Sequence, residues 1–305
     1  MKVVALLLAL LLPVTAFVPR ARMPARPSGA RVRMQAGVVG EDVASLLSSN
    51  RAQIDSLGAI APELSEITRL RFALAFDTQV EAEKALRETV AWRSGAGKSI
   101  VESAEAAVAA ATAGGAWDNE PVRAAAPFAS AVNPYISPKN TLTLSTDDGD
   151  LVYCIRASLI DDKKLMDSVS VEQLTDFLLY VKEIHSLIVN MRSEKSGRFC
   201  KVIFANDITG VRQPPDSRFS KALSESSKSY EQLYPSLAGQ TMILNLPFIL
   251  QAFVGLFKPL FPKSVQERLV FTRAPVLAGL GELTPLTTNP TTKKAFLMEI
   301  KKLLG

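Results

Sequence analysis

Histidine is almost missing from this chain. Of 305 residues one is histidine, His185, and two are cysteine, Cys154 and Cys200. Any Ser-His-Asp triad would have to converge on His185, and no nucleophile-elbow sequence accompanies it. Two cysteines are not a disulfide framework. With His185 they show no ligand-pair spacing, which argues against a zinc site. Both fall in apolar runs that read as strands, where a buried free thiol is the ordinary state; a bridge between them stays open if those strands are neighbours. Long hydrophobic runs are also missing. The leucine-rich run over residues 3–12 is too short to span a bilayer. A phosphate-binding loop is suggested by Gly95-Ala96-Gly97-Lys98-Ser99, but Trp92 stands where its first glycine belongs. That segment also follows a helical pattern instead of a strand, so it reads as a flexible helix terminus.

Acidic residues are absent before Glu41. Residues 1–16 carry one early lysine, the leucine run and then Val14-Thr15-Ala16, which is the build of a secretory signal with a small-residue cleavage site. Residues 17–36 are arginine-rich and broken by proline, as transit peptides are. The junction Ala16-Phe17-Val18-Pro19 resembles the bipartite presequence of algae with secondary, red-derived plastids. Plastid delivery is therefore expected, in preference to secretion with a basic propeptide. The charge balance follows. The chain is +5 overall, yet six of its 35 basic residues lie in residues 1–36, leaving 29 against 30 acidic ones. The remainder has no basic character, so nucleic-acid binding loses its main warrant.

Periodicity divides the rest. Apolar stripes over 41–57 (Val43, Leu46, Leu47, Ile54, Leu57) and 62–75 (Leu64, Ile67, Leu70, Leu74) predict two helices, and 79–93 a third. Ser103 to Ala113 reads as a helix ended by Gly114-Gly115. Residues 37–115 thus form a helical N-terminal region, and proline-broken residues 116–140 an irregular connector. From residue 150 strands and helices alternate. Strands are expected at 151–157, 200–205, 241–245 and 269–272. Between them lie a long helix opened by the capping box Ser170/Gln173 and running to about Met191, and a helix over 215–233. Such alternation predicts an α/β fold with a mixed, largely parallel sheet. The acidic residues Asp147, Asp148 and Asp150, and Asp161 with Asp162, read as solvated turns. The tail, residues 273–305, ends in a short amphipathic helix with Lys293, Lys294, Lys301 and Lys302; it reads as docked, or as a weak anchor on anionic lipid.

One stretch combines several of these signals. Tyr234-Pro235 follows a helix, and Thr241 to Asn245 is a short strand. Asn245 is placed to cap a new helix with Pro247 in its first turn. That helix is apolar nearly all round: Phe248, Leu250, Phe253, Val254 and Phe257, ending at Lys258-Pro259. It must be buried or meet lipid, and Pro259 and Pro262 stop it short of a span. On pattern alone a core helix competes evenly with a lid. The set Leu70-Arg71-Phe72, Trp92-Arg93, Asp207 with Gly210, Tyr234-Pro235 and the apolar helix resembles the CRAL-TRIO lipid-binding family, akin to yeast-type phosphatidylinositol/phosphatidylcholine transfer proteins. Leu74 and Phe76 depart from the basic run usual after the Arg-Phe pair.

The resemblance implies a lipid-binding domain over 141–272, whose sheet floors a hydrophobic pocket covered by helices. It implies a non-catalytic carrier of one lipid, gated by the apolar helix in transient membrane contact. The expected pocket and lid residues are Phe177, Val181, His185, Phe204, Tyr234, Phe248, Leu250, Phe253, Val254, Phe257 and Arg268. No cofactor or metal is expected beyond the bound lipid, and no nucleotide or nucleic acid as partner. In relatives that take phosphatidylinositol, a Glu follows Tyr-Pro, and a Thr and a Lys lie beyond the lid. Here those positions hold Ser236, Val265 and Arg268, so another phospholipid, a glycolipid or a prenyl lipid is the expected cargo. The alternatives are a sensor that presents a bound lipid or pigment without transferring it, and a soluble plastid enzyme using Ser99 or His185.

Overall fold

The computed structural model describes residues 41–115, 117–145, 149–248, 254, 266, 268–282 and 289–304. The signal and transit segments, and most of the expected lid helix, lie outside these residues.

The N-terminal region is a cluster of short helices: α1 (Val43–Ser49), α2 (Arg51–Ile60), α3 (Glu66–Ala75) and α4 (Gln79–Ser94). The single helix expected over 41–57 is broken at Asn50, whose φ of −118° and ψ of 17° leave the helical region. The 62–75 helix starts only at Glu66, because the Ser65 hydroxyl accepts from the Thr68 N–H and caps it there. Ile54, Leu57, Leu70, Phe72 and Leu86 pack together with Phe199, so this cluster has its own core. Helix α5 (Lys98–Thr112) begins five residues earlier than the expected Ser103. Gly97 sits against the Trp92 ring, in space that a Cβ would occupy, so the glycine-rich segment is a tight turn between helices.

The connector is less irregular than expected. It holds α6 (Glu120–Ala124) and α7 (Ala129–Val132). It is followed by a strand absent from the sequence reading, β1 (Thr141–Ser145), which pairs antiparallel with β2 (Leu151–Arg156). Beyond β2 come α8 (Asp162–Ser168), α9 (Val171–Ser196), β3 (Val202–Asp207), α10 (Ser217–Leu233), β4 (Ala238–Leu244), β5 (Leu269–Phe271), α11 (Val276–Gly281) and α12 (Pro290–Leu304). The expected strand at 200–205 is shifted two residues onward. Helix α9 opens with the capping box Ser170/Gln173 and ends at Gly197, whose φ of 69° is the left-handed conformation glycine adopts without a Cβ penalty.

The sheet order is β1-β2-β3-β4-β5, with β2 to β5 mutually parallel. The fold is α/β with a mixed, largely parallel sheet. Parallel strands bury both faces, which is why β2 reads as a nearly unbroken apolar run. On one face Tyr153 and Phe204 meet α9 and α10. On the other Val152, Cys154, Ile203, Ala205, Met242 and Leu244 meet α11 and α12. Gly279 of α11 lies so near that a Cβ would stand 2.7 Å from Leu244. The cysteines belong to different sides: Cys154 packs in the second core and Cys200, just before β3, in the first, and both are free thiols.

Asp150 is no solvated turn residue. It is buried, accepts from the Lys201 N–H at 3.0 Å and lies 3.4 Å from Arg198 Nη2. Burial outweighs these partners and pushes its carboxyl up to about 6.

Candidate functional site

The apolar stripe of α9 faces the sheet and brings Phe177, Val181 and His185 to one cavity of about 80 Å³, with Tyr153 on the sheet side and Trp117 and Arg123 on the connector side. That space suits a few water molecules or one polar group. His185 is 1 % exposed, and neither ring nitrogen has a hydrogen-bond partner among the described residues. Burial pulls its pKa down to about 3, with Lys182 nearby acting in the same direction, so the imidazole is neutral. Its ring meets Tyr153 edge-on at 4.7 Å.

From Tyr153 a row of rings crosses the sheet. Phe204 stands 6.1 Å from Tyr153, Tyr230 stands 5.7 Å from Phe204, and Tyr234 stands 5.9 Å from Tyr230. The first two contacts are T-shaped, with the edge of one ring toward the face of the next. The Tyr230 hydroxyl is buried without a hydrogen-bond partner among the described residues. Lys182 Nζ lies 5.1 Å from the centre of the Tyr230 ring and donates to Ser226 Oγ at 3.0 Å. Burial lowers the Lys182 pKa to about 7. Half-buried Arg268 acts on Tyr230 electrostatically, favouring its ionised form, but burial dominates and holds the phenol protonated.

Phe177, Val181, His185, Phe204, Tyr234 and Arg268 are thus gathered around this face of the sheet. Two expected residues sit elsewhere. Phe248 is 72 % exposed, with the Arg273 guanidinium 5.5 Å from its ring centre. Val254 is half-buried and packs on Ile208, Ile243 and Leu246. Leu250, Phe253 and Phe257 lie outside the described residues. Asn245 does not cap a helix. Its φ is 56°, and its amide donates to Asp207 Oδ1 at 2.8 Å. Asp207 also accepts from the Thr209 N–H at 3.0 Å and the Thr209 hydroxyl at 2.6 Å, with Gly210 turning at a φ of 74°. This knot ties the ends of β3 and β4 together just before Leu246-Pro247-Phe248.

Behind the ring row is a charged knot that the sequence reading missed. Glu183 is 1 % exposed. Both its oxygens accept from Arg93 Nη1 at 2.9 Å, and Oε2 also accepts from the Tyr234 hydroxyl at 2.7 Å. Burial works against the Arg93 charge, but Glu183 overrides it and holds the guanidinium above its ordinary pKa. Burial and the adjacent Glu183 raise the Tyr234 phenol, keeping it protonated as the donor. Arg71 is a second such tie. It donates to Asn190 Oδ1 at 2.8 Å, the Ser236 carbonyl at 3.0 Å and the Cys200 carbonyl at 2.9 Å, with Phe199 under its guanidinium. Burial lowers its pKa to about 10, which still leaves it charged near neutrality. The Arg-Phe and Trp-Arg pairs of the N-terminal region therefore anchor it to the sheet domain. The signal for Glu183 was an acid on a helix turn flanked by apolar residues, which has to find a cation.

The family model of the CRAL/TRIO domain matches residues 137–282. These residues are a CRAL/TRIO domain. The CRAL/TRIO family binds lipid ligands and is generally non-catalytic. Among solved structures the chain is similar to the crystal structure of Sfh5, from yeast, at 11% identity, with 85% of this chain and 97% of that chain covered and a TM-score of 0.46. No curated protein matches the chain. In the CRAL/TRIO domain of this chain, α9, α10 and the ring row cover one face of the sheet, while α11 lies on the other.

Proposed function

We propose that this chain binds one hydrophobic lipid on the ring-lined face of its sheet and carries it between membranes without catalysis. The supporting observation is neutral, buried His185, both of whose nitrogens are unpartnered among the described residues, beside Tyr153 and the aromatic row. A ring-lined, largely apolar face that also holds the unsatisfied His185 nitrogens and Tyr230 hydroxyl suits a molecule that is mostly hydrocarbon with a polar end. Burying its chains contributes about 0.8 kcal/mol per CH₂, so one diacyl or prenyl lipid supplies ample affinity. The apolar helix expected to end at Lys258-Pro259 is the gate in this reading, opening at a bilayer and closing over the cargo. A sensor that keeps its lipid remains the second reading.

Phosphatidylinositol is not the preferred cargo in this account. Ser236 follows Tyr234-Pro235 with a φ of 55°, and its carbonyl is taken by Arg71. Arg268 is the one positive charge retained among the headgroup positions, and Arg does not reproduce lysine geometry. Another phospholipid, a plastid glycolipid or a prenyl lipid such as a quinone, tocopherol or carotenoid fits better. Residues 1–36 would direct the protein to a complex plastid, to stroma or inner membranes. The test is a vesicle-transfer assay offering these lipids in parallel. Transfer of one of them ahead of phosphatidylinositol is expected; clear selectivity for phosphatidylinositol would overturn the cargo assignment.

A further inference from the structure

The back of the sheet carries a surface that lipid binding on the opposite face does not use. Helix α12 buries Phe296 and Ile300 against Cys154, Met242 and Leu244. Its outer stripe is Lys294, Met298, Lys301 and Lys302, all exposed. Met298 keeps 60% of its surface in solvent and Leu303 40%. Lys294, Met298 and Lys301 also edge a groove between α11 and α12 lined by Leu277 and Leu297. One acidic residue, Glu299, interrupts the stripe.

We propose that this face docks on an anionic lipid surface, with α12 lying in the plane of the interface. Met298 enters the headgroup layer, and Lys294, Lys301 and Lys302 meet phosphates. The charge pattern selects the occupant. Lysine is depleted at the centres of protein–protein interfaces, whereas lysines around an exposed apolar side chain complement an anionic bilayer. The inference goes beyond lipid carriage. It gives the protein a second membrane-facing surface, across the sheet from His185 and Tyr153.

The test is flotation of the full chain with phosphatidylcholine vesicles and with vesicles that also contain phosphatidylglycerol. The parent is expected to prefer the anionic vesicles and to lose that preference as salt rises. The exposed-lysine variant K294Q/K301Q/K302Q is expected to bind them roughly a hundredfold more weakly. M298D is expected to bind more weakly as well, with an unchanged far-UV spectrum. The lipid extracted from the triple variant should match that from the parent, because the lysines are remote from the ring-lined face. Equal flotation of parent and triple variant would overturn the proposal. So would a parent indifferent to anionic lipid, which would leave an acidic protein as occupant. Loss of extractable lipid in a folded triple variant would also overturn it, by placing the lysines in the cargo site.

Discussion

Arg93 Nη1 donates to both carboxylate oxygens of Glu183 at 2.9 Å, joining the last turn of α4 to the middle of α9. The pair lies beneath the ring row, and Tyr234 completes it. The N-terminal helices are therefore part of what holds the ring-lined face in shape.

Removing one partner should cost more than removing both. E183A would leave the Tyr234 hydroxyl without its acceptor and the Arg93 charge leaning on exposed Glu105, 3.2 Å from Nη2, and is expected to destabilise the fold by about 3 kcal/mol. R93L/E183L, which deletes both charges, should be milder than E183A. Urea unfolding of the three proteins decides it; a double variant worse than E183A would contradict this role for the pair.

Two buried groups tie stability to pH with opposite signs. His185 has a pKa of about 3 in the fold and 6.5 unfolded. Between those values only the unfolded chain takes up the proton, so stability is lost as pH falls below about 6.5, by about 2 kcal/mol at pH 5. Asp150 runs the other way, with a pKa of about 6 in the fold and 3.8 unfolded. Here the folded state keeps the proton, so stability is lost as pH rises from about 4 through about 6. H185F should flatten the acid side of the profile, and D150N should raise stability at pH 7 relative to pH 5. Thermal melts from pH 4 to 8 on both variants measure it, and profiles parallel to the parent's would refute both assignments.

The helical architecture was largely legible in the sequence because it rests on local signals. The α9 stripe and its Ser170/Gln173 box are such signals, and the Asp207-to-Gly210 turn is another. What was hidden depends on distant partners. Glu183 meets Arg93 at a separation of 90 residues and Tyr234 at 51. Asn245 takes a left-handed conformation and binds Asp207, 38 residues away on the neighbouring strand, so its capping preference misled. Asp150 looked like a turn residue until Arg198 and Lys201 came beside it. Strand β1, Thr-Leu-Thr-Leu-Ser, does alternate, but it is five residues long and directly follows the proline-broken connector, so it stands out only once it pairs with β2.

The gate is tested by replacing Phe253 and Phe257 together with Asp. If the helix expected to end at Lys258-Pro259 is a lid that enters bilayers, F253D/F257D should remain folded and lose lipid exchange between vesicles. Exchange at the parent rate by the folded variant would remove this helix from the mechanism.

The address is tested with a reporter fused to residues 1–40. It should enter a complex plastid, and F17A should stall it before the inner compartments. Unchanged delivery of the F17A fusion would count against a bipartite presequence.

The central claim is that a hydrophobic molecule occupies the ring-lined face, and organic extraction of the purified full chain followed by mass spectrometry tests it most directly. The account predicts one lipid species near equimolar with protein, and its loss or reduction in H185F. A protein that yields no lipid, takes none from mixed vesicles, and instead binds nucleotide or turns over an ester would contradict it.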